Sequence, residues 1–345
     1  MEHQAWVSRY RNELKGIAIL WVVFFHSQIT LDGSWDWIRQ TGYGGVDIFF
    51  FLMGMGLYHS LKKSDSLRGY ASRRLWRILP AYLPVVFIWM AVMYPSYHLS
   101  TTQAIRGVTG NLLMVGFWLQ SPSIFNWFVN AQFLFILLAP LMYAYLAKSG
   151  RKGVALLSLL GICAGLGLAN IACDQMIGIS RLPIFLLGMA FYMDWPISQR
   201  KNTVRVAYIA AFALGVAVLL TGLARYKELL IDYGLYWYPF ALIVPGLCVF
   251  LAWLLHKAER ARKLFAPLRW FGESSFEIYL LNIWMVELLK RDGVTSAGLS
   301  AFFCAGNLLA GIGYHRLVLW GTKALQAAWG SARPKKAVQN ENIAE

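Results

Sequence analysis

Ten stretches of the chain stay apolar long enough to cross a bilayer as helices, with polar residues gathered in the breaks between them. They lie near residues 14–31, 44–61, 77–95, 125–147, 153–172, 182–194, 205–223, 234–255, 271–289 and 298–321. A hydrocarbon core of about 30 Å calls for roughly 17–25 such residues in helical form. The sixth stretch is short and is expected to be tilted or half-inserted. A further run, "GNLLMVGFWLQ" at 110–120, is too short to span and is placed in the interface. The pattern therefore predicts an all-α, polytopic membrane protein of about ten transmembrane helices. No repeat of fixed period is visible. One membrane domain is expected over residues 1–325, followed by a polar, disordered tail over 326–345.

Composition agrees with that picture: 58% of residues are hydrophobic and 14% charged, with a mean hydropathy of +0.50. A soluble domain carries about 25% charged residues. The 15 Trp and 17 Tyr suit aromatic belts at the two interfaces. A net charge of +15 raises nucleic acid as a partner, but the cations fall in short clusters between apolar runs. That distribution sets orientation rather than a nucleic-acid surface. With the N-terminus in the cytoplasm, inner segments hold 24 of the 32 Lys and Arg, so both termini are expected to be cytoplasmic. The four cysteines lack metal-ligand or CxxC spacing, and no metal is expected.

Candidate chemistry begins in "KGIAILWVVFFHSQ", residues 15 to 28. An imidazole, His26, lies deep in an otherwise apolar run that opens on Lys15. A histidine on a soluble helix is usually a packing residue, but an ionisable group inside a membrane span is costly and points to function. Along a helix, Lys15 and His26 stand about 16 Å apart. Asp47, in "YGGVDIFFFLMGMGLYHS", enters from the opposite end of the next run at a comparable depth. It is a candidate to orient His26, or else a solvated capping residue. A second cluster, "LRGYASRRLWRILPAY", carries Arg73, Arg74 and Arg77. If the helix starts early, Arg74 and Arg77 share a face, and guanidinium forks suit phosphate oxygens. Attraction to anionic lipid explains such a cluster equally well.

Together these pieces resemble the membrane acyltransferase-3 family of bacterial O-acyltransferases. The resemblance rests on a basic residue and a histidine with ten residues between them (Lys15, His26), an Arg-x-x-Arg pair (Arg74, Arg77), "GGVDIFFFLMGMGL", "NWFVNAQFLFILLAPL", "RLPIFLLGM" and "FGESSFEIYLLN". These occur in family order over about residues 9 to 322. The chain departs from many relatives at Asn282, where they have a second histidine, and at Asn130-Ala131-Gln132, where they have paired acids.

The resemblance implies acyl transfer from acetyl-CoA to a hydroxyl of a cell-surface glycan or its lipid-linked precursor, in the inner membrane of a bacterium. His26 would then be catalytic, with Asp47 beside it, and Lys15, Arg73, Arg74 and Arg77 would meet the phosphates of the donor. Trp127, Gln132, Arg181, Glu277, Tyr279 and Asn282 are candidates to line the substrate pocket. Partners would be acetyl-CoA, the glycan acceptor and membrane lipid, with no nucleic acid. Two alternatives stay open: a proton-coupled transporter or exchanger of lipid or sugar using His26 and Asp47, and a catalytically silent family member.

Overall fold

The computed structural model describes residues 2–27, 36–64, 66–169, 171–193, 201–291 and 296–331. The expected tail over 326–345 therefore lies mostly outside the described residues. The elements are all helices: α1 (Glu2–Arg9), α2 (Arg11–His26), α3 (Asp36–Gln40), α4 (Gly44–Lys62), α5 (Leu67–Met93), α6 (Thr101–Leu112), α7 (Trp127–Leu168), α8 (Cys173–Ile179), α9 (Leu182–Phe191), α10 (Lys201–Arg225), α11 (Lys227–Asp232), α12 (Tyr238–Lys257), α13 (Ala266–Glu273), α14 (Ser275–Arg291) and α15 (Ala297–Ser331), joined in places by short 3-10 turns. Among the described residues there is no strand. Six helices, α4, α5, α7, α10, α12 and α15, are long and apolar enough to cross a membrane. The protein is an all-α polytopic membrane protein.

Each apolar run falls on a helix, with instructive differences at the ends. α7 has 42 residues, about 63 Å if straight, which is twice a bilayer core. Gly150, at φ 56 and ψ −135, breaks it into the two arms expected at 125–147 and 153–172. A side chain on that residue would be strained in this conformation. The run at 182–194 becomes the ten-residue α9. It is apolar all round because it is buried between α4 and α7, as such a helix must be. The segment at 110–120 is anchored on α7. α6 ends at Leu112 and the chain turns back, so that Phe117 N–H donates to Asn130 Oδ1 at 3.2 Å and Trp118 Nε1 donates to Asn130 O at 3.2 Å. Asn130 thus holds the preceding loop onto α7.

The first run is displaced. The helix begins at Arg11 and ends at His26, whereas 14–31 was expected; residues 28–31 lie outside the described ones. α2 lies against α13 at very close range. A methyl on Gly16 would meet Leu268 O at 1.9 Å, and one on Gly272 would meet Asn12 O at 1.7 Å. Small residues at both sides of a helix crossing let backbones touch, which is how membrane helices gain packing energy. This contact fixes α2, and with it both Lys15 and His26.

Candidate active site

A narrow cavity of about 100 Å³ opens among α2, α4, α5, α7 and α14. Its polar wall is cationic: Arg11 and Lys15 from α2, Arg74 and Arg77 from α5. Arg11 and Lys15 are four residues apart and so share a helix face, as do Arg74 and Arg77. The α5 pair depends on the helix starting early. It does so because Ser66 caps it, its Oγ accepting from Gly69 N–H at 3.1 Å.

Among the described residues no carboxylate lines this cavity. The neighbouring acids bond to other partners: Glu273 accepts from Arg269 Nε at 2.8 Å, and Glu277 pairs with His315 Nδ1 at 3.0 Å, so they reach Lys15 only through space. Arg11 Nη2 reaches only a backbone carbonyl, Leu52 O, at 3.1 Å, and Arg74 Nη2 lies 3.5 Å from Gly56 O. The Nε of each is buried without a hydrogen-bond partner. Gly56 makes the space for Arg11, since a methyl there would fall 2.4 Å from its Nη2. Four basic side chains in one pocket repel one another, and Arg11 and Arg74 each keep an unmet buried donor, both of which an anion relieves. The deeper wall is apolar and aromatic, with Phe49, Phe128 and Tyr279, plus the amide of Gln132, whose Oε1 is also without a partner.

α14 connects the cavity lining to His26. Ser275 and Tyr279 line the cavity, and the next residue on that stripe, three positions on, is Asn282. Asn282 is fully buried, and its Oδ1 meets Nδ1 of His26 in a short hydrogen bond. The imidazole therefore stands one helical turn, about 4.5 Å along α14, past the last cavity residue. α2 ends there, and Ser27 closes it by donating its Oγ–H to Phe24 O at 2.7 Å.

Asp47 and Arg181 form a separate centre. Asp47 Oδ1 is 3.5 Å from Arg181 Nε, both side chains being 2% exposed. Where the sequence expected Asp47 to serve His26, the structure gives its carboxylate to this arginine. The guanidinium lies 4.5 Å from the Trp237 ring centre and 5.7 Å from that of Trp127, and Nη1 donates to Ser180 Oγ at 2.9 Å. Asp47 is in the first turn of α4, where a negative charge complements the helix dipole. Arg181 immediately precedes α9, so the pair ties α4, α7 and α9 together.

Of the twelve residues singled out from sequence, Lys15, Arg74, Arg77, Gln132 and Tyr279 come together in the cavity, and His26 with Asn282 beyond it. Arg73 is not among them: it is exposed and donates to Ser64 Oγ at 2.9 Å. Trp127 stacks on Arg181, and Glu277 holds His315. Arg11 was missed. It was grouped with the orientation-setting cations, although its four-residue spacing from Lys15 marks the same face.

Fold and site thus define a polytopic membrane protein with a cavity walled by four basic side chains, and a hydrogen-bonded pair of half-buried His26 and buried Asn282 one turn further along α14. Comparison with known proteins adds the family. Residues 12–322 match the acyltransferase domain family, and the chain belongs to it. It is 24% identical over 314 residues to the peptidoglycan O-acetyltransferase OatA of Listeria monocytogenes, covering 80% of this chain and 49% of that protein. It is 25% identical over 336 residues to the putative peptidoglycan O-acetyltransferase YrhL of Bacillus subtilis, covering 84% and 50%. Acyltransferase MdmB of Streptomyces mycarofaciens is 32% identical over 120 residues, 32% of this chain and 31% of that one. The chain spans about half the length of the first two relatives. No solved structure matches it.

Proposed function

We propose that the protein is a membrane O-acyltransferase that moves an acetyl group from acetyl-CoA to a hydroxyl of a cell-surface glycan or its lipid-linked precursor. The observation that carries this is the cluster of Arg11, Lys15, Arg74 and Arg77 in a cavity with no carboxylate among its described lining residues, joined through the α14 stripe of Ser275, Tyr279 and Asn282 to His26. The positive-inside bias puts the cationic end on the cytoplasmic side of a bacterial inner membrane, where a phosphorylated carrier is available. The cavity is too slender for a nucleotide, which stays at the mouth with its phosphates on the four cations. An extended pantetheine arm matches the separation of about 16 Å between Lys15 and His26, and Gln132 Oε1 is placed to accept from one of its amide N–H groups.

His26 acts as general base on the acceptor hydroxyl, which arrives from the outer side. In the direct route the alcohol oxygen attacks the thioester carbon while its proton passes to the imidazole. The C–S bond then breaks and the thiolate of CoA takes that proton. In the relay variant the imidazole itself carries the acetyl group between two such steps. The names of the two peptidoglycan O-acetyltransferases support a glycan as acceptor. The test is acetyl release from acetyl-CoA by the purified protein, with and without glycan acceptor. Turnover that His26→Ala abolishes while CoA still binds is the expected result. Full turnover in His26→Ala would refute the role of the histidine, and no turnover by the wild type with any acceptor would refute the activity.

A further inference from the structure

We infer that Asn282 uses both ends of its amide in the reaction: Oδ1 fixes the tautomer of His26, and Nδ2 donates a hydrogen bond to the oxyanion that forms on the donor's carbonyl. This deepens the function proposed above and rests on it. The first half follows from hydrogen-bonding capacity. An amide oxygen only accepts, so its contact with Nδ1 of His26 requires the proton to sit on Nδ1. Nε2 is then the basic nitrogen of the ring, the one that takes a proton from the acceptor hydroxyl.

The second half follows from what is left over. Asn282 is fully buried, yet its Nδ2 has no hydrogen-bond partner. A buried donor without an acceptor is costly and calls for an explanation. This one lies beside the base, one helical turn along α14 from Tyr279, which lines the cavity. As the alcohol oxygen bonds to the thioester carbon, the carbonyl π pair moves onto oxygen, and a preorganised N–H there stabilises the new charge. Collapse restores the C=O bond, breaks C–S, and returns the Nε2 proton to the departing thiolate. An acetyl-imidazole relay passes through a similar oxyanion twice, so the donor serves either route.

Two substitutions separate the ends of the amide. Asn282→Asp keeps an acceptor for Nδ1 but has no N–H to donate. Asn282→His offers one nitrogen to accept and one N–H to donate, as the amide does. Acetyl transfer, acetyl-CoA affinity and melting temperature are measured on the full chain in lipid nanodiscs. Expected is a loss of about 10²–10³-fold in kcat for Asn282→Asp with unchanged donor Kd, and recovery to within about tenfold of wild type in Asn282→His. Turnover by Asn282→Asp within about threefold of wild type would overturn the oxyanion role. So would equal loss of melting temperature, affinity and rate in both variants, which marks Asn282 as structural. If neither variant folds, ¹⁵N NMR of His26 in the wild type, free and with an oxyanion analogue of the donor, decides: Nδ1–H and an analogue-induced shift of the Asn282 amide are expected, and Nε2–H or an unmoved amide would overturn it. A wild type that transfers acetyl while these results fail removes this inference alone. A wild type that transfers none removes the proposed function with it.

Discussion

Replacing Arg11 with methionine separates a cation kept for a ligand from one kept for stability. The methionine retains an unbranched stem against α4 and deletes the guanidinium. In the unliganded protein that guanidinium reaches only Leu52 O, keeps a buried Nε–H without a partner and shares with Lys15, Arg74 and Arg77 a pocket that no described carboxylate lines. An unmet buried donor costs about 1–3 kcal/mol, and three like charges nearby add to it. Its loss is therefore expected to raise the melting temperature of the ligand-free protein or leave it unchanged. A charge-assisted bond to a phosphate contributes about 1.5–3 kcal/mol, so the Kd for CoA should rise by about 10- to 150-fold. Calorimetry with CoA, together with melting curves in the same nanodiscs, measures both quantities. A lower melting temperature with unaltered CoA affinity would refute the reasoning and make Arg11 a structural residue.

Further outcomes follow from the same geometry. Arg77→Ala is expected to weaken CoA binding in the same range as Arg11→Met, whereas Arg73→Ala, exposed and bound only to Ser64 Oγ, should change it less than about threefold; equal effects in the same binding assay would contradict the placement of these arginines. Asp47→Asn leaves the Arg181 guanidinium buried without its counter-charge and should cost about 3–5 kcal/mol. Asp47→Leu with Arg181→Met should recover much of that loss, and melting curves of the single and double variants test it. Gly56→Leu places a side chain where the Arg11 guanidinium sits. Binding titrations should show weaker CoA affinity, and an unaffected Kd would mean that Arg11 is not held there for the donor.

Features that lie within one helix were legible in the sequence. Lys15 and His26 share α2, and Arg74 and Arg77 share α5, so their relations follow from the pitch of the helix alone. The apolar runs located the helices, because in lipid a spanning segment has to satisfy its own backbone. α5 nevertheless starts ten residues before its run, and α15 ends ten residues after its own. What the sequence could not reveal are meetings between helices. Asn282 reaches His26 across 256 positions, and Asp47 turns to Arg181 because α9 packs against α4. The end of α2 at His26 was also hidden, since Ile29 and Leu31 extend the run beyond the polar Ser27 and Gln28 when the sequence is averaged over a window. Arg11 was hidden for a different reason. A cation beside a membrane helix reads first as an orientation signal, and only the carbonyl of α4 and the space left by Gly56 show that it turns inward.

The most direct measurement is the structure of the protein in nanodiscs, by cryo-electron microscopy, with a non-hydrolysable acetyl-CoA analogue bound. The nucleotide phosphates are expected on Arg11, Lys15, Arg74 and Arg77, with the acyl carbonyl within about 4 Å of the His26 ring, inside the reach of a proton-transferring base or its water. Phosphates bound elsewhere, or an acyl group that ends away from His26 and Asn282, would contradict the path from cations to imidazole on which the proposed activity depends.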